Sequence, residues 1–175
     1  MFLLLSTLIL LQAKAAVAPL PNPALPTMQE WVHDWEIQRD FTLAVGRKMP
    51  EEHFRFRATP EEMPFGGMLL HLADAQTFRV QQVSGVEPQL SLKLPLQNRE
   101  EVFRYVVESF NYVIRVLPAI QPEQFARSYT VDWEGRKEAT GRQILLAMFV
   151  HTAHHRAQLE VYLRLKEIAP PLYTF

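Results

Sequence analysis

His151-Thr-Ala-His-His-Arg-Ala-Gln158 lies late in a long helical stretch and carries imidazoles at positions 151, 154 and 155. Residues four apart on a helix share a face one turn apart, so His151 and His155 can present two rings to one ion. On a helical wheel the inward stripe reads Ile144, Met148, His151, His155, Leu159 and Tyr162, which sets two polar rings in the middle of an apolar face. Burying them unpaired is costly. His154 is the competing choice, because i+3 spacing also lets it pair with His151, but it falls on the edge of the stripe. The helix that carries these residues is expected from Thr140-Gly-Arg-Gln143, which caps it, to about Lys166.

An HxxxH pair alone is a weak signal, and a single inward histidine is more often hydrogen-bonded within a core than bound to an ion. What changes the balance is His71, on an earlier helical segment. There Met68, His71, Ala75 and Phe78 share a face, so this imidazole is also expected to point toward the core. Three inward histidines on two helices suggest a common partner.

Outward from these two segments the chain reads as four amphipathic helices. Thr27-Met-Gln-Glu30 is a capping box for a helix over about Met28 to Lys48, with Trp31, Trp35, Phe41 and Val45 on its apolar stripe and Pro50 ending it. Pro64 fits the first turn of a second helix running to about Val83. Gly66 and Gly67, one turn before His71, either permit close approach of a neighbouring helix or ligand, or sit in a frayed first turn. Gly85 to Leu96 reads as a loop. Asn98-Arg-Glu-Glu101 is again a capping box, for a third helix with the stripe Phe103, Val106, Val107, Phe110, Ile114 and Leu117, ending before Pro118. From Ala119 to Ala139 no helical period is visible, and Tyr129-Thr-Val-Asp-Trp-Glu-Gly135 suggests a short hairpin or irregular excursion. The expected class is all-α, a four-helix bundle over 27–175 forming one domain.

Residues 1–26 are of a different character. Phe2 to Leu11 is almost wholly apolar, Gln12-Ala-Lys-Ala-Ala-Val-Ala18 offers small residues as a signal peptidase prefers, and Pro19 to Pro26 is a proline-rich leader. This predicts an N-terminal signal segment cut near Ala15 or Ala16 and an exported, periplasmic or secreted, protein. The run is short for a membrane span. The alternatives are an uncleaved segment, the one case in which a membrane would be a partner, and a misassigned start, in which case the protein is cytoplasmic.

The 175-residue chain is 48% hydrophobic and 21% charged, with a net charge of −1. Its basic residues are scattered among acids, so no patch is suited to exchanging phosphate counterions and no nucleic acid partner is expected. It contains no cysteine, which excludes a thiolate nucleophile of its own, thiolate metal ligation and disulfides.

Neutral imidazole suits zinc, nickel, iron or copper, and three such ligands leave a coordination position open. An open position is what a catalytic site needs, because a water or thiol held there loses its proton near neutral pH. Gln158, one turn beyond His155, is placed to orient a ligand or a bound water, and Asp74, three residues after His71, to accept the free ring proton of a ligand histidine. For both, a solvated face is an equally good account. His33 and His53 read as surface residues.

With Pro64-Phe-Gly-Gly-Met-Leu-Leu-His-Leu-Ala-Asp74, His151-Thr-Ala-His-His-Arg-Ala-Gln158 and the ending Pro170-Pro-Leu-Tyr173, the chain resembles the DinB-like family of bacterial metalloproteins, which includes damage-inducible DinB and its thiol-transferase relatives. The resemblance spans about Met28 to Tyr173. It implies a four-helix bundle holding a divalent ion on His71, His151 and His155, zinc or nickel ahead of iron or manganese. It also implies a small-molecule or thiol ligand, such as the bacillithiol or mycothiol used by some relatives, and pairing as a homodimer. The usual glycine before the final glutamine is Ala157 here.

Two functions fit these residues. One is a metal-dependent transferase or hydrolase that activates a thiol or water for attack on a small electrophile; the other is a non-enzymatic metal- or small-ligand-binding module of the cell envelope. A third account, core histidines satisfied without metal, predicts no stoichiometric ion.

Overall fold

Thr27 caps the first helix as its sequence predicts: the Thr27 amide donates to Glu30 Oε2 at 2.6 Å and the Glu30 amide to Thr27 Oγ1 at 3.2 Å. The computed structural model describes residues 27–91, 98–133 and 135–173. The expected signal segment and leader over 1–26, and the end of the loop expected to reach Leu96, therefore lie outside the described residues.

Helix α1 spans Met28–Lys48, α2 Phe65–Ser84, α3 Arg99–Val116 and α5 Gly141–Leu165, with a short α4 at Pro122–Ala126. Each long helix has a local reason to start where it does. Pro64 stands at the N-cap of α2 rather than inside its first turn. The Asn98 side chain accepts from the Glu101 amide at 3.0 Å at the head of α3, and Thr140 and Gln143 exchange both capping bonds, at 2.9 and 3.3 Å, at the head of α5. Gly85, at φ 72°, ends α2 in the left-handed conformation that favours glycine.

Helices α1 and α2 each pack against both α3 and α5, around one core. Trp35 and Phe41 of α1 lie in that core, Trp35 meeting Phe110 at 6.0 Å and Phe149 at 5.5 Å between ring centroids. Met68, Leu69 and Leu72 of α2, Val106 and Phe110 of α3, and Ile144 and Leu159 of α5 are fully buried. Gly66 is required here. A Cβ at that position would collide with the Phe54 ring, so the close approach allowed by the missing side chain is made by an aromatic from the α1–α2 connection, while both glycines also sit in the first turn of α2.

The all-α expectation is corrected in one region. The segment after α3 holds a 3-10 turn at Leu117–Ala119, then α4, then an antiparallel pair of strands, β1 Ser128–Trp133 and β2 Arg136–Thr140. The chain is thus mainly helical with a two-stranded sheet. Alternation along β1 turns Val131 into the core and leaves Tyr129 and Trp133 half-buried on the same side. Gln82 Nε2 of α2 donates to the Thr130 carbonyl at 2.7 Å, and Tyr129 Oη donates to the Val83 carbonyl at 3.1 Å, so the hairpin is pinned along the end of α2. No helix among the described residues is long and apolar enough to cross a membrane.

One buried charge escaped the sequence reading. Arg156 of α5 is 3% exposed, donates to Gln38 Oε1 of α1, and lies over the rings of Phe41 at 4.7 Å and Tyr173 at 5.7 Å. It follows His155 directly, about 100° round the helix from it and off the apolar stripe, so periodicity does not mark it as buried. Tyr173 packs edge-on against Phe41 at 5.0 Å, which anchors the chain's ending on α1 and α5.

Candidate metal centre

The histidine site lies where α2 and α5 run side by side. His151 and His155, one turn apart on α5, meet His71 of α2: Nε2 of His151 is 3.2 Å from Nε2 of His71 and 3.1 Å from Nε2 of His155. One nitrogen from each of the three rings lies within 4.8 Å of the others. His154 remains exposed on the neighbouring face, and His33 is an exposed residue 3.7 Å from Glu36. His53 is half-buried in a 3-10 turn between α1 and α2 and is not part of the cluster.

Burial is graded across the cluster. His155 is buried, His151 half-buried and His71 exposed. The expectation that His71 points into the core is corrected by this: its face of α2 runs from fully buried Met68 to Phe78, which is 58% exposed. His71 therefore stands at the rim, and the cluster opens to solvent on its side. Beside it is a cleft of about 400 Å³, bounded by His71, Ala75 and Arg79 of α2, Met148 and His151 of α5, and Trp133 of β1.

The protonation states favour ligation. Burial, then the neighbouring His155 and His71, push the His151 pKa down to about 4. Burial also lowers that of His155, against its hydrogen bond to Gln158 Oε1, which raises it. Both rings are thus neutral near pH 7. The partner of His155 fixes its tautomer: Nδ1 lies 2.6 Å from Gln158 Oε1, an oxygen that can only accept, so Nδ1 carries the proton and Nε2 turns its lone pair on the cluster. Buried His151 Nδ1 has no hydrogen-bond partner among the described residues.

Asp74 is placed elsewhere. Its Oδ1 accepts from Tyr105 Oη of α3 at 2.5 Å, and none of the hydrogen bonds among the described residues joins it to a histidine. Burial and this bond to Asp74 raise the Tyr105 pKa. The contact links α2 to α3.

These donors fit a divalent cation. Tetrahedral zinc with Zn–N bonds of about 2.0–2.1 Å sets ligand nitrogens about 3.3 Å apart, and slightly longer octahedral bonds bring them to about 3.0 Å. The two spacings of 3.1 and 3.2 Å fall between these values. Neutral imidazoles cannot satisfy such an arrangement alone. Each close pair can share only one proton, and wherever two lone pairs face each other they repel; a cation between the rings removes that conflict. Cysteine being absent, the set is purely nitrogenous.

The sequence over residues 34–159 matches the model of the DinB superfamily. The fold is similar to that of a DinB-like protein from Bacillus subtilis, at 18% identity and a TM-score of 0.65 over 82% of this chain and 96% of that one. It is equally similar to a DinB-like protein from Bacillus cereus ATCC 10987, at 15% identity and a TM-score of 0.67 over 83% and 97% of the respective chains. No curated protein matches the sequence. The matched segment carries all three histidines of the cluster and takes in most of the chain: this protein belongs to the DinB superfamily.

Proposed function

We propose that the chain is a four-helix-bundle metalloprotein in which His71, His151 and His155 hold one divalent ion, zinc or nickel ahead of iron or manganese, and that it activates a small-molecule thiol or a water for attack on a small electrophile. The observation that carries this is the convergence of three imidazole nitrogens, His151 Nε2 lying 3.2 Å from that of His71 and 3.1 Å from that of His155 and all three within 4.8 Å of one another, beside a cleft that His71 and His151 line. A divalent ion in that position would bring the pKa of a thiol or water into the neutral range.

The residues divide the work. His155 and His151 supply neutral donors from the buried side, Gln158 holds the His155 ring in its ligating tautomer, and His71 closes the set from the solvent side. Solvent access at His71 leaves room for an exogenous ligand, which favours an open site over a closed structural one. Export through residues 1–26 belongs to the same proposal, as does pairing with a second copy.

The test is cobalt(II) loading of the full chain followed by addition of 2-mercaptoethanol. A d–d spectrum that gains a near-ultraviolet thiolate charge-transfer band supports an open, thiol-accepting site. A cobalt spectrum indifferent to thiol and to metal-directed inhibitors favours the non-enzymatic, sequestering module.

A further inference from the structure

The cleft beside His71 and His151 ends at Arg79, a residue the metal site does not use. His71, Ala75 and Arg79 follow one another at i, i+4 and i+8 on α2, so they share a face, and Arg79 sits about 12 Å along the helix axis from His71. Ala75 between them adds little bulk and keeps the floor of the cleft low. The facing side is apolar, with Met148 of α5 and the Trp133 ring of β1. The cleft thus offers two of the three imidazoles, His71 and His151, at one end, an apolar middle, and a guanidinium at the other.

That guanidinium is held in place but not neutralised. Its carbon lies 5.1 Å from the Phe78 ring centroid and 5.5 Å from that of Trp133. Nη1 donates to Gln82 Oε1 at 3.1 Å, and Gln82 is itself tied to the Thr130 carbonyl. Of its five N–H donors this bond engages one. No ion pair to Arg79 exists among the described residues: Asp132, the acid whose charge reaches it, is fully solvated and stands 3.3 Å from Lys137 Nζ. A guanidinium partly withdrawn from water without a counter-ion is costly, and an anion bound in the cleft offsets that cost.

Resting on the metal site proposed above, we infer that the ligand of this cleft is a small carboxylate: Arg79 receives the carboxylate, an apolar stem lies over Ala75 against Trp133 and Met148, and a donor atom at the far end reaches the histidine cluster. Planar guanidinium pairs with carboxylate through two parallel hydrogen bonds. Apart from the histidines, the cleft is lined by one cation, which suits a monoanion better than a dianionic phosphate.

The experiment compares 6-mercaptohexanoate with 6-mercaptohexanol on cobalt(II)-loaded full-length protein, reading each Kd from the thiolate charge-transfer band. The neutral thiol is the internal reference within every variant. The carboxylate is expected to bind about tenfold more tightly, as for a charge-assisted hydrogen bond at a solvent-open site. Arg79→Gln should abolish that preference and Arg79→Lys should retain part of it. Equal affinities in the wild-type protein, or a preference that survives Arg79→Gln, overturn the role of Arg79 while leaving the metal site standing. Failure to take up cobalt overturns the metal site and this inference together.

Discussion

Gln158 Oε1 lies 2.6 Å from His155 Nδ1, and this single bond decides which nitrogen of the His155 ring is free to bind. Removing it leaves the ring able to rotate and to protonate at Nε2 instead. Gln158→Ala is therefore expected to weaken metal affinity about 10- to 100-fold, the usual cost of losing a partner behind a ligand histidine. Gln158→Glu, which keeps an acceptor and adds charge, should retain affinity or raise it. Competition titration against a chromophoric chelator measures both. Wild-type affinity in Gln158→Ala would show that the contact does not orient the ligand.

Acid should destabilise the metal-free protein through the cluster. The folded-state pKa of His151 is about 4, below its ordinary value of 6.5, and that of His155 is also lowered. Between those limits the unfolded chain binds more protons than the folded one, so stability rises with pH across the window. The contribution is fully present above pH 6.5 and is lost as pH falls toward 4. Thermal unfolding of metal-free protein should show Tm falling through this range. His151→Gln, which cannot titrate, should flatten the slope; a slope unchanged in that variant would assign the effect to other groups.

Gly66 should not tolerate a side chain. A Cβ there meets the Phe54 ring, which also packs against Phe65 and Phe103 at 5.8 Å. Gly66→Ala is expected to cost about 1–3 kcal/mol through overpacking, even though alanine is the better helix former. Denaturant unfolding of Gly66→Ala, Phe54→Leu and the double variant forms a cycle, in which the smaller side chain at 54 should relieve part of the cost. Additive effects would show that the two sites do not clash.

Tyr105→Phe should separate structure from site. It deletes the donor to Asp74 and leaves a partly buried carboxylate one bond short, which costs about 1–3 kcal/mol. Metal content should not change, since this contact involves none of the three grouped histidines. A loss of bound ion in this variant would restore Asp74 to the metal centre.

Much of this was legible in the sequence because the signals were local. Capping pairs at Thr27 and Thr140, the Asn98 cap and the prolines fixed the helix ends to within a residue or so. The i, i+4 spacing of His151 and His155 put both on one face. Gln121-Pro-Glu-Gln124 is the signal that would have revealed α4, since proline at the first helical position and a reciprocal glutamine pair head that helix. What was not legible depends on tertiary contact. The exposure of His71 follows from how far α5 overlaps that edge of α2, which periodicity does not encode. Asp74 reads equally as the partner of a ligand histidine or as a solvated residue, because no spacing within α2 reveals Tyr105 on α3. Arg79 joins the cleft only because the hairpin brings Trp133 alongside it.

The central claim is that His71, His151 and His155 together hold one ion. Metal analysis of untagged protein, with circular dichroism as the control for folding, tests it most directly. Wild-type protein is expected to carry about one divalent ion per chain, and His71→Ala, His151→Ala and His155→Ala each to lose it while remaining helical. Wild-type protein that takes up no stoichiometric ion, or variants that keep theirs, would contradict it.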